Sequence, residues 1–145
     1  MLDSPNREAL VQVEILTLCD AAADYNAKLS LLGAFDTITS PSFPTTHQQC
    51  SIALRIRFSR IEEGPHTIRI HVVDDDGELV MPNIEGHLGV SFVDHSETAS
   101  VNVILGIQTL PLAKPGTYAV NLAVDGKQEA SVPLYVRQGG ESGAV

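Results

Sequence analysis

Ser51-Ile52-Ala53-Leu54-Arg55-Ile56-Arg57-Phe58 is the stretch of sequence that decides the fold. Apolar side chains at every second position alternate with small or basic ones, which is typical of a β-strand with one buried face. The segment 67–72 repeats this alternation after a break at residues 62–65, which contain the Gly-Pro pair of a turn. The centre of the chain therefore predicts two consecutive strands with one apolar face each.

The alternation extends toward both ends of the chain. Further strands are predicted at 11–19, 28–39, 78–81, 84–92, 98–110, 117–124 and 128–137. Asp125-Gly126 is a strong signal for a two-residue hairpin turn, and Asp20–Ala27 is predicted to form one helical turn capped by Asp20. Since helical periodicity is absent and connections are short, we expect an all-β fold of about 8–9 antiparallel strands in a two-sheet β-sandwich, with a closed barrel as the alternative.

The domain organisation follows from length and composition. A chain of 145 residues is the usual size of one domain. We expect a single β-sandwich domain over residues 10–137, a flexible N-terminal segment at 1–9 and a disordered Gly- and Ser-containing tail at 138–145.

Charge and cysteine content limit the partners and the compartment. The formal net charge is −9, which repels phosphate, so neither nucleic acid nor an anionic membrane is an expected partner. We expect no secretory signal, because residues 1–8 lack a basic region followed by an apolar core, and no membrane span, because no apolar stretch is long enough. Cys19 and Cys50 fit free thiols in the core of a cytoplasmic protein; a disulfide between them is the alternative for an exported chain.

No motif for catalysis, metal binding or cofactor binding is recognisable, so we expect a non-enzymatic protein with no catalytic residues, no metal and no cofactor. No serine lies in a Gly-x-Ser-x-Gly elbow, and the five histidines are not spaced as a local pair of ligands. Residues 74–78, Asp-Asp-Asp-Gly-Glu, resemble a calcium loop in composition only and are interpreted as a turn.

Basic residues are concentrated in the two central strands. Four of the nine lie between positions 55 and 69. If the two strands pair across the 62–65 turn, the outward residues share one face. The residues predicted to form this possible binding face for an anionic partner are Arg55, Arg57, Arg69 and His71. The alternative is a solvated face whose arginines pair with Glu78 or Glu85.

The first third of the chain is apolar on both faces of its strands, as at Ile15, Leu16 and Leu18. Such strands are buried on both sides, either as a central strand covered by a loop or at a subunit interface. We therefore expect either a protein-interaction module that contacts an unidentified protein through a sheet edge or the arginine face, or a structural homo-oligomer whose surplus apolar surface in residues 15–35 is buried between subunits. The alternative is a small-molecule-binding or enzymatic domain with a pocket between the sheets or at the loop ends.

Several short motifs resemble known domains. Leu18-Cys19-Asp20 with 31–36, Leu54–Phe58, and 114–118 with 124–126 are similar to an uncharacterised family of bacterial cytoplasmic β-sandwich domains. The likeness covers residues 10–137 and implies a fold and an origin but no activity. The run from Lys114-Pro115-Gly116-Thr117-Tyr118 to Val136 also resembles the last hairpin of immunoglobulin-like sandwiches.

Overall fold

Nine strands make up most of the part of the chain that the structure describes. A computed structural model describes residues 11–93 and 95–140, and no α-helix is present among them. The strands are β1 (Gln12–Tyr25), β2 (Lys28–Phe35), β3 (Thr37–Ser40), β4 (Thr45–Ser59), β5 (Gly64–Val73), β6 (Ile84–Val90), β7 (Thr98–Leu112), β8 (Gly116–Val124) and β9 (Lys127–Gln138). The predicted all-β class and strand number are confirmed, whereas the strand predicted at 78–81 is only an isolated bridge from Leu79 to Val73.

The strands form two sheets. The first, sheet A, has the order β2-β1-β4-β7, and the second, sheet B, has the order β3-β9-β8-β5-β6. All neighbouring pairs are antiparallel except β3 and β9, which are parallel. The strictly antiparallel prediction is therefore wrong at this pair. β3 runs parallel to β9 because the chain leaves sheet A after Phe35 and enters sheet B. There the carbonyl of Asp36 accepts a hydrogen bond from the N–H of Tyr135 at 2.7 Å.

The predicted pairing of β4 with β5 is wrong, because the two strands lie in different sheets. A 3-10 helix, Arg60–Glu62, connects them. Glu62 fixes the start of this crossing, since its Oε1 accepts hydrogen bonds from the backbone N–H of Ser59 at 2.7 Å and from the Ser59 hydroxyl at 3.0 Å. The chain therefore arches from one sheet to the other instead of forming a hairpin.

Both sheets contribute to one hydrophobic core. The inward residues of β4 and β5 were predicted correctly: Ile52, Leu54, Ile56 and Phe58 are fully buried, and Ile68, Ile70 and Val72 are at most 2% exposed. β8 adds Tyr118, Val120, Leu122 and Val124 to the same cluster. Each such side chain stabilises the fold by about 1.5–3 kcal/mol relative to an exposed one.

The hairpin of β1 and β2 folds back over sheet A. β1 pairs with β4 only as far as Cys19, and from Ala21 to Tyr25 it pairs with β2 alone. The Nδ2 of Asn102, on the outer face of β7, donates hydrogen bonds to Asp24 Oδ2 at 3.3 Å and to the carbonyl of Ala27 at 3.2 Å. The tip of the hairpin therefore lies against the outer face of sheet A.

This arrangement corrects one prediction and explains another. The helical turn predicted at Asp20–Ala27 is wrong, because 20–25 continue β1 as a strand. β1 is apolar on both sides because it is a central strand with an overlying hairpin. Cys19 and Ala53 are fully buried although they lie on the outer face, opposite Ser51 and Thr17 respectively.

The ends of the predicted domain need one adjustment. The segment predicted as flexible at 1–9 lies outside the described residues, and so does the end of the predicted tail, 141–145. The start of that tail is ordered by β3, because Gln138 pairs with Ser40 and the N–H of Gly139 donates to the Ser40 carbonyl at 3.0 Å.

Candidate interaction surfaces

The four residues predicted to form one basic face lie on two separate faces. Arg55 and Arg57 project from the outer face of sheet A, whereas Arg69 and His71 project from the outer face of sheet B. The predicted common face is wrong because it depended on the pairing of β4 with β5. Whether either half binds a partner stays a prediction.

Glu14 holds the two arginines of sheet A. Its Oε1 lies 2.9 Å from Arg55 Nε, and its Oε2 lies 2.6 Å from Arg57 Nε. The hydrogen bond from Arg57 and, to a smaller extent, the one from Arg55 lower the pKa of Glu14, and the bond to Glu14 raises the pKa of Arg57. Arg57 Nη1 also donates to Thr98 Oγ1 at 3.0 Å and Arg55 Nη1 to Asn102 Oδ1 at 3.3 Å. An anionic partner would therefore have to displace bonds that the protein already makes.

The sheet B half of the predicted face is more open. Arg69 Nε lies 3.1 Å from Glu85 Oε1, and the other oxygen of Glu85 lies 3.2 Å from His87 Nε2. Arg69 was expected to pair with Glu78 or Glu85 if the face were only solvated, and Glu85 is that partner. The Arg69 side chain is 47% exposed, against 29% for Arg55. Exposed pairs of this kind contribute about 0–1 kcal/mol.

His66 is held by contacts on its ring face and on both ring nitrogens, and it was not singled out from the sequence. Its ring stacks on Phe58, with centroids 4.7 Å apart, and its Nδ1 lies 2.6 Å from Asp125 Oδ2. Its Nε2 lies 2.5 Å from the carbonyl of Glu62. Both ring nitrogens thus face acceptors, which is the pattern that a protonated imidazolium satisfies. The only sequence signal was a histidine at an inward position of β5, opposite Leu88.

The charge balance at His66 follows from these contacts. Burial lowers the pKa of His66, but the Glu62 carbonyl and the Asp125 carboxylate outweigh it, so that the pKa is raised above 6.5. Burial likewise opposes ionisation of Asp125, yet the Thr67 N–H and His66 lower the Asp125 pKa. The pair connects the crossing between the sheets to the β8–β9 turn.

The acidic run at 74–78 is a turn, as predicted. Asp74 Oδ1 accepts the backbone N–H groups of Asp76 at 2.9 Å and Glu78 at 3.0 Å. Asp75 Oδ1 accepts the N–H of Thr117 at 2.8 Å, which ties the turn to β8. Within residues 11–93 and 95–140, no group of three or more His, Cys, Asp or Glu side chains is placed to hold a metal ion.

The cysteines are both buried and free. Cys19 lies opposite Ser51, the neighbour of Cys50, but its side chain is on the outer face of sheet A while Cys50 belongs to the core. A disulfide between them would therefore require one strand to turn over. Burial, with Cys19 and Asp20 nearby, raises the pKa of Cys50 to about 11, which disfavours the reactive thiolate.

The hairpin carries exposed apolar side chains. Leu32 is 71% and Tyr25 66% exposed. A shallow groove of about 210 Å³ between Ala21–Ala23 and Ser30–Leu32 is lined almost entirely by apolar atoms. This surface corresponds to the segment 15–35 that was predicted to form a subunit interface.

The outer edge of β7 is the longest open strand edge among the described residues. β7 pairs with β4 along its 15 residues, and no described strand pairs with its other side. None of these residues is charged. The other edges are blunted: β3 has four residues, β6 has seven with Glu85 and two glycines, and β2 carries Lys28 and a kink at Gly33, where φ is +67°. Short length, charge and kinks are the features that normally prevent edge pairing.

The hydrophobic core is incomplete at this edge. Val101, Val103 and Leu105 of β7 face the core but remain only partly buried. Their partners on β4 are fully buried; these are Ile56, Leu54 and Ile52. A further strand beside β7 would bury the remaining apolar surface.

The fold and these surfaces define a small all-β domain built from two sheets around one core. Residues 14–137 match a family of unknown function, DUF6941, and the chain belongs to this family. The uncharacterised family expected from the sequence motifs is thereby confirmed. A comparison with curated proteins finds no match.

Three solved structures are similar to this chain to different degrees. The Pseudomonas fluorescens alkylpurine DNA glycosylase AlkC, bound to DNA containing an abasic site analog, matches with a TM-score of 0.51 and 12% identity over 88% of this chain and 30% of that one. A glycosyl hydrolase family 2 member from Bacteroides cellulosilyticus matches with a TM-score of 0.38 and 14% identity, over 88% of this chain and 14% of that one. A β-glucuronidase from the same hydrolase family has a TM-score of 0.36 and 19% identity, over 69% and 12%.

These three proteins are much longer than this chain. The chain spans 30% or less of the length of each of these proteins. At 12% identity the first match shows a shared fold alone, and the lower TM-scores of the other two carry no argument. In the described part of the chain, no helix has the length and apolar character needed to span a membrane.

Proposed function

We propose that this domain is a non-catalytic protein-interaction module that binds an extended segment of a partner along the open edge of β7. The observation that carries the proposal is the uncharged 15-residue edge with an incomplete core behind it. Strand addition to such an edge supplies main-chain hydrogen bonds, while alternate side chains of the added strand cover the apolar residues.

The polar groups of the described residues favour binding over catalysis. Both ring nitrogens of His66 are occupied by acceptors of the protein itself, so that the ring is not free to act as a general base. The thiols of Cys19 and Cys50 are buried and have raised pKa values, which disfavours a nucleophilic role.

We also propose that the two sheets form an immunoglobulin-like β-sandwich in a bacterial cytoplasmic protein. The hydroxyl of Tyr118, near the start of β8, donates to the carbonyl of Lys114 at 2.7 Å. A tyrosine that bonds back to the backbone a few residues upstream is a hallmark of immunoglobulin-like sandwiches. Free, buried cysteines suit a reducing cytoplasm, and the family resemblance favours a bacterial origin.

A labelled peptide tests the binding mode. The probe is a synthetic peptide with the sequence of Thr98–Leu112, flanked by lysines for solubility, and a scrambled peptide of the same composition is the control. We expect saturable binding in fluorescence anisotropy, with NMR shifts confined to β7 amides. Equal binding of both peptides, or shifts elsewhere, would contradict strand addition at this edge.

Proline substitutions sharpen the test. Of two consecutive residues in an edge strand, one N–H points to the neighbouring strand and the other to the open side. Hence, of Val103→Pro and Ile104→Pro, we expect one to unfold the protein and the other to retain its Tm but lose peptide binding. A folded proline variant that still binds the peptide as tightly as the original chain would exclude β7.

A further inference from the structure

The open edge of β7 also indicates which partner it fits, and the following inference rests on the proposed function. We infer that the partner is a second copy of this chain, and that two β7 strands pair antiparallel about a two-fold axis into one continuous eight-stranded sheet. Two-fold interfaces use the same surface on both subunits, so the surface must be complementary to itself.

The composition of β7 meets this condition. Its core-facing positions Val101, Val103, Leu105 and Ile107 are all apolar, and its outward positions Ser100, Asn102, Ile104, Gly106 and Gln108 are all uncharged. In every register that keeps inward residues opposite inward ones, apolar residues meet apolar residues. β7 itself contains no charged residue, whereas β6 contains Glu85 and β2 contains Lys28.

An edge that binds a different protein would be expected to carry different residues. Edges that select a foreign strand gain specificity from charges or pockets complementary to that strand. Between Glu97 and Lys114 this chain offers neither sign of charge. The remaining like-charge effect is the net charge of −9 on each copy, which opposes association at long range and is screened by salt.

Sedimentation equilibrium of the full chain tests the inference. We expect a mass of twice the 15.5 kDa chain, and a dimer that tightens as NaCl is raised from about 0.05 to about 0.5 M. Ile104→Asp places like charges close to one another across the two-fold axis in the central registers, and should weaken dimerisation about tenfold or more. Ile104→Asn, which has a similar size without the charge, should weaken it less.

Further variants separate the alternatives. The folded member of the Val103→Pro and Ile104→Pro pair should sediment as one chain, which covers the case in which Ile104→Asp does not fold. A dimer that survives these changes but is lost in Leu32→Asp would overturn the inference and place the interface on the hairpin. A single-chain mass at all concentrations would also overturn it, while binding of the Thr98–Leu112 peptide would leave the proposed function standing.

Discussion

Strands β4 and β5 follow one another in the chain and have the same alternation, yet their environments differ. Each is flanked by strands on both sides, and the inward side chains of both are almost fully buried. On the outside, Arg55 and Arg57 share Glu14 and lie near the overlying hairpin, whereas Arg69 shares Glu85 with His87 on an open face. The alternation of apolar residues in a strand therefore determines which of its faces is buried. The neighbouring strands determine which contacts the side chains of the exposed face make.

The end of β4 should be more sensitive than any position on the outer faces. Phe58 is fully buried and its ring also stacks on His66 at the start of β5, so Phe58→Ala creates a cavity and removes support for the crossing between the sheets. We expect a loss of about 3–5 kcal/mol in the free energy of unfolding, measured by urea denaturation. Val93→Ala, at a site that is 74% exposed, is the control and should change it by less than about 0.5 kcal/mol. A similar loss in both variants would show that Phe58 does not join the two strands.

The contact between His66 and Asp125 should make the start of β5 sensitive to pH. Because the pKa of His66 is raised, its contribution to the free energy of unfolding is complete below pH 6.5. That contribution is lost as the pH rises through the pKa of His66 in the folded protein. Because the pKa of Asp125 is lowered, its contribution to the free energy of unfolding is present above pH 3.8. That contribution is lost as the pH falls through the pKa of Asp125 in the folded protein. The pair should therefore contribute most between these two limits.

Asp125→Asn tests this window, because Asn also tolerates the positive φ of 52° at this turn. We expect a loss of about 1 kcal/mol near pH 5.5, because Asp125 is half exposed and water screens the pair. The difference in Tm between the variant and the original chain should shrink toward pH 9. A difference that is constant from pH 5 to pH 9 would rule out an ionised pair.

The smallest effects belong to the outer faces. Glu14→Gln should lower Tm more than Glu85→Gln, because Glu14 serves two partly buried guanidinium groups that also bond Thr98 and Asn102. For Glu85→Gln we expect a change of about 0–1 kcal/mol. Thermal unfolding in low and high salt checks both variants. The decrease in Tm caused by Glu14→Gln should become smaller at high salt, because salt screens the charges. Equal changes in Tm for Glu14→Gln and Glu85→Gln would mean that the ion pairs on the two outer faces contribute equally to stability.

The sequence predicted what depends on alternation and failed where distant strands meet. The inward residues of β4, β5 and β8 could be assigned because the two-residue period is local. The sheet to which each strand belongs could not be assigned, because the four residues after Ser59 are compatible with either a hairpin or an arch. The same limit hid the approach of Asp125 to His66, which are 59 positions apart in the chain.

The hairpin was missed for a related reason. Three consecutive alanines at 21–23 favour a helix locally, and only the pairing with Ser30–Leu32 of β2 makes them a strand. The excess of apolar residues in this segment was visible, and it indicated burial on both faces. That the tip would reach Asn102 of β7 depends on a contact 78 positions away from Asp24.

The two ends of sheet A have a consequence for how large any assembly can become. The β2 end is kinked at Gly33 and turned back over the sheet, whereas no described strand covers the β7 end. A sheet that can grow at one end only stops after a single addition, because each copy then has its growing edge covered. We therefore expect a closed pair of finite size, whereas a second open edge would permit the endless stacking that produces fibres.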